Sequence, residues 1–106
     1  MNRPSERPTT TSEFRPEGRF VRAPDTLWRE LSGVTLVRMV DDPEVVELWG
    51  TGVLIWAALA EPVLADELAS ELAVLTGAPL DVVARDIREA LADLVRRGVV
   101  TQLEVP

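Results

Sequence analysis

Between Leu27 and Trp49 the apolar positions fall into three short runs separated by turn residues. Leu27 to Leu31 ends at the turn pair Ser32-Gly33, and Val34 to Val40 is apolar or β-branched at every position except Arg38. Asp41-Asp42-Pro43-Glu44 follows, with Pro43 fixing φ and the Asp carboxylates placed to accept from nearby amides. Val45 to Trp49 is the third run. Runs of this length joined by short turns predict an antiparallel meander with two outer edges.

At Gly50-Thr51-Gly52 the pattern changes from strand to helix. Val53, Leu54, Ile55, Trp56 and Leu59 make an apolar helix that Glu61-Pro62 stops. Leu64 to Thr76 predicts a second helix, with Leu64, Leu68, Leu72 and Leu75 on one face and Asp66 and Glu67 at the positive end of its dipole. Gly77-Ala78-Pro79 breaks it. A third helix follows from Leu80 to Arg97, with Leu80, Val83, Ile87, Leu91 and Leu94 as the buried stripe and Gly98 as its stop. Val99 to Val105 has room for one more short strand. The fold class expected is α+β: a winged helix-turn-helix, a three-stranded antiparallel sheet followed by three helices. Trp28 and Trp56 read as core residues. Trp49, beside the edge strand and off the helical stripe, is unassigned.

Residues 1–22 interrupt this regularity with three prolines, three consecutive threonines, and only Phe14, Phe20 and Val21 as large apolar groups. Such a stretch buries too little to offset its ordering entropy, so it is expected to be a disordered tail, with the domain spanning 23–106. Composition then narrows the function. The 106 residues suit one domain. Cys, His and Tyr are absent, which removes thiolate and imidazole metal ligands and the commonest general base. No catalytic residue, metal or cofactor is therefore expected. Net charge is −7 and every basic residue is Arg; the first 22 residues carry +2, which leaves −9 for the remainder. A body that acidic repels phosphate backbones. No apolar run reaches the roughly 18–20 residues of a membrane span, and the expected location is the cytoplasm.

The order of landmarks resembles the PqqD-like family. It runs Trp28-Arg29-Glu30-Leu31, an apolar strand, Glu47-Leu48, Thr51, Ile55-Trp56 and Glu61-Pro62. It continues through Glu67-Leu68-Ala69, Asp86-Ile87, Leu94 and Gly98-Val99-Val100. The resemblance covers roughly Pro24 to Val100, and its specificity lies in the series rather than in one motif. The chain departs from the family pattern at Leu48-Trp49, where Asn usually caps the first helix and where Gly50 or Thr51 must do so here. It departs again at Val63-Leu64, where a Ser or Thr cap is usual.

The resemblance implies a stand-alone recognition element for ribosomally synthesised, modified peptides. The leader of a precursor peptide would lie as an added strand along the third strand and against the third helix, for delivery to a modifying or leader-processing enzyme such as a peptidase or cyclase. On this chain the docking backbone is Val45, Val46, Glu47 and Leu48. Helical projection places Arg88, Ala92 and Val95 on the flank of the third helix, with Arg85 just beyond. Lasso-peptide, quinone-cofactor and radical-enzyme pathways all fit, and the lasso type is favoured slightly. For Arg85 and Arg88 a self-paired helix face with Asp81, Asp86 and Glu89 stands beside the peptide-contact reading. The rival function is a DNA-binding winged helix, but the four arginines of the third helix are balanced by four acids. A scaffold between two enzymes is the third.

Overall fold

The computed structural model describes residues 14–103. Its order is β1 (Arg19–Arg22), β2 (Thr26–Leu31), β3 (Val34–Met39), β4 (Val46–Trp49), α1 (Thr51–Ala58), β5 (Val63–Leu64), α2 (Ala65–Thr76), α3 (Leu80–Arg96) and β6 (Val100–Leu103). The meander read from the sequence is β2-β3-β4, with β3 central and antiparallel to both neighbours. With α1, α2 and α3 following it, the α+β winged helix-turn-helix is present as expected.

The first helix forms at Gly50-Thr51 because Gly50 adopts φ 55° and ψ −122°, a conformation open to glycine and strained for any L side chain. The Gly50 carbonyl accepts the Val53 N–H at 3.0 Å, so the backbone starts the helix without the side-chain cap that Asn would have supplied. At the start of α2, the Leu64 N–H donates to the Glu67 carboxylate at 3.4 Å. That contact satisfies one orphan donor without a Ser or Thr.

A second sheet, ordered β5-β1-β6, was not foreseen. β1 pairs antiparallel with β6, from Arg19↔Leu103 to Arg22↔Val100, and with the two-residue β5. The tail expected over 1–22 is corrected here: β1 lies inside it, Phe20 is fully buried, and Phe14 stacks on Phe20 at 5.5 Å. A mostly polar composition over these 22 residues hid Phe20, whose strand pairs some 80 positions later in the chain and against which Phe14 then stacks. Residues 1–13 fall outside the described residues.

The core joins Phe20, Val37, Val46, Ile55, Trp56 and Leu59 to Leu68, Leu72, Val83, Ile87, Leu91 and Leu94. Three expected core positions are not in it. Leu75 and Leu80, in the last turn of α2 and the first of α3, are 71% and 53% exposed. Ala65 and Ala69 complete the buried face of α2 instead. Trp28 is 47% exposed; its ring meets Trp56 edge-on at 6.5 Å, with a guanidinium beside both rings. That guanidinium belongs to Arg22, whose Cζ is 4.6 Å from the Trp28 ring centroid and 4.9 Å from that of Trp56. Its Nε and Nη2 donate to the Trp56 carbonyl at 3.0 and 2.8 Å. Burial pushes the Arg22 pKa below its ordinary value. One side chain thus ties the β1 sheet to α1 and to the meander.

Candidate peptide-binding site

β4 is an edge strand, and its orientation follows from one hydrogen bond. The Val40 N–H donates to the Asp25 carbonyl at 2.8 Å, which sets the alternation of the β2–β3 ladder. Leu36 and Arg38 therefore turn their backbone N–H and C=O groups toward β2, whereas Thr35 and Val37 turn theirs toward β4. Thr35 pairs with Leu48 and Val37 with Val46. It follows that Val46 and Leu48 use their backbone groups on β3. Glu47, with Val45 and Trp49 on either side, presents N–H and C=O outward, where no strand pairs among the described residues.

Side chains divide along the same strand. Val46 is buried and Leu48 half-buried on the core face; Val45, Glu47 and Trp49 are exposed on the outer face. Beside the start of β4 is a cleft of about 280 Å³. Met39, Asp42, Glu44 and Val46 line it from the sheet, and Arg96, Arg97 and Val99 from the end of α3. Arg97 closes part of this cleft by pairing with Asp93 at 2.9 Å and approaching Glu44 at 3.9 Å, while Arg96 also pairs with Asp93.

The residues picked from the sequence thus separate into two groups. Val46, Glu47 and Leu48 lie in β4, and Val45 is the residue just before it. On α3, Arg85 and Arg88 are exposed, and Ala92 and Val95 are half-buried. Arg85 lies 3.9 Å from Asp86, both largely exposed. From the end of α3 it is Arg96 and the capping residue Arg97 that line the cleft next to Val46, neither of them among the expected contacts. The available signal was Arg96, one turn beyond Ala92 on the same flank. Asp42 and Glu44, read as turn residues, supply the acidic wall.

Among the described residues no cluster of acidic side chains is placed to hold a metal ion. No helix among them is long and apolar enough to cross a membrane. Neither the curated proteins nor the solved structures yield a match to this chain. The model of the family described as "Coenzyme PQQ synthesis protein D (PqqD)" matches residues 35–100, from the middle strand of the meander to the first residue of β6. That span is well over half of the chain and contains the open edge, the cleft and all of α3: the chain belongs to the PqqD family.

Proposed function

We propose that this protein captures the leader of a ribosomally made precursor peptide as a fourth strand on β4, against the flank of α3, and delivers it to a separate modifying or leader-processing enzyme. Membership of the PqqD family supports the coarse reading, a non-catalytic peptide-binding accessory of such a pathway. The observation that carries the finer one is the outward row of backbone groups at Val45, Glu47 and Trp49, adjoining a cleft walled by α3. An extended guest supplies the missing donors and acceptors, and side chains at alternate positions enter the cleft. Arg85, Arg88, Ala92 and Val95 are the α3 contacts in this reading. Affinities from about micromolar to nanomolar, roughly −8 to −12 kcal/mol, suit such an interface. Rate enhancement then comes from raised local concentration at the enzyme.

DNA binding fits the surface less well. Arg85, Arg96 and Arg97 each have a carboxylate of the same helix within 4 Å, so little positive field is left for a phosphate backbone. Lasso-peptide biosynthesis is the pathway type carried forward from the sequence, with a peptidase or cyclase as the enzyme partner; a short precursor reading frame beside genes for both would bear it out.

The decisive experiment is an amide-resolved NMR titration of the protein with the synthetic leader of the adjacent precursor. Capture on β4 slows exchange of the Glu47 and Trp49 amides and shifts resonances along α3. Saturable binding that leaves both amides exchanging freely would put the leader elsewhere.

A further inference from the structure

Glu47 is the middle of the three residues whose backbone groups face the open edge, and its side chain stands on the outer face of the sheet. Its cross-strand neighbour on β3 is Leu36, which offers no charge. The Trp49 indole N–H lies 3.4 Å from its carboxylate, a long contact on the same face. Among the described residues no arginine pairs with Glu47. Arg38, which shares the outer face with Leu36, directs Nη1 to the carbonyls of Met39, Val40 and Asp42. On either side of Glu47 the outer-face residues are apolar and exposed, Val45 at 48% and Trp49 at 63%. The edge therefore presents apolar, acidic, apolar in sequence, with the acid lacking a cation.

We propose that Glu47 fixes both the register and the charge of the guest strand. The guest residue directly opposite Glu47 is Lys or Arg, the guest residues two positions to either side are apolar, and Asp or Glu at the central position is rejected. This rests on the reading that a peptide adds to β4. The physics is that of cross-strand pairs, in which directly opposed residues have Cβ atoms roughly 5 Å apart, so opposite charges attract and like charges repel. Discrimination between a basic and an acidic guest residue should be about three- to tenfold. The same carboxylate guards the edge. Two copies pairing antiparallel through all three outward residues would oppose one Glu47 to another, although the flanking Val45 and Trp49 positions would match well.

The test is selection of displayed random dodecapeptides on the wild-type protein and on Glu47→Lys. Glu47 is exposed and makes no core contact, so the variant keeps the fold. The expected result is a position enriched in Lys and Arg on the wild type that becomes enriched in Asp and Glu on the variant, with apolar preferences two residues away unchanged. Identical charge preferences on both proteins would overturn the role of Glu47 and leave strand capture intact. Failure of either protein to enrich any extended peptide would overturn both.

Discussion

A pair of proline substitutions one residue apart separates the two faces of β4. Val46 gives its N–H to Val37 in the β3 ladder and has a buried side chain, so Val46→Pro removes a structural hydrogen bond and leaves a half-buried carbonyl without its donor. The lost bond is worth about 0.5–1.5 kcal/mol and the orphaned acceptor about 1–3 kcal/mol, so a stability loss of about 2–4 kcal/mol is expected. Glu47→Pro spares the ladder, since the missing N–H is the one facing solvent, where edge strands tolerate proline. Its cost to folding is about 1 kcal/mol, from drawing φ toward −65°. Its cost to capture is larger. A guest carbonyl loses its donor and is left unsatisfied, about 1.5–3 kcal/mol together, or roughly ten- to 150-fold in Kd. Urea unfolding followed by tryptophan fluorescence gives the first quantity, and fluorescence anisotropy of a fluorescein-labelled leader gives the second. A folded Glu47→Pro protein that binds leader as tightly as wild type would refute the assignment of the open edge.

Four further outcomes follow from the same geometry. Phe20→Ala should lower stability by about 3–5 kcal/mol in urea unfolding, because it empties a fully buried site on β1; a change under 1 kcal/mol would mean that the first sheet contributes little. Arg22→Leu keeps bulk but loses two hydrogen bonds to the Trp56 carbonyl and two ring contacts, about 2–4 kcal/mol, read from the thermal midpoint by circular dichroism. Gly18→Ala would put a Cβ 2.9 Å from the Leu103 carbonyl oxygen, a backbone contact that cannot rotate away, and should cost about 1–3 kcal/mol with weakened β1–β6 amide protection in hydrogen exchange. Glu47→Val removes the acid from the exposed edge and should produce a concentration-dependent dimer in analytical ultracentrifugation, where the wild type shows less association at the same concentration.

The sequence by itself determined the meander and the three helices and their order. Three short apolar runs broken by Ser32-Gly33 and Asp42-Pro43, and two aliphatic stripes at helical spacing, depend on neighbours at most seven residues away. Those local periods were enough to predict the meander, and the series of landmarks was enough to suggest the family. Tertiary structure decided what depends on distant partners. Phe20 in a polar, proline-bearing segment became core only because β6, some 80 residues later, lies beside it. Trp28 is half-exposed, with its ring against Trp56 and the Arg22 guanidinium rather than inside the core. Leu75 and Leu80 matched the helical period yet are exposed, since the period says nothing of what packs against the two helix ends. Which backbone groups of β4 face outward could not be read from composition or period, since side-chain alternation is the same in either register. It was settled by the ladder that the Asp25–Val40 hydrogen bond sets, and that parity makes Glu47, rather than Val46, the donor a guest strand would meet.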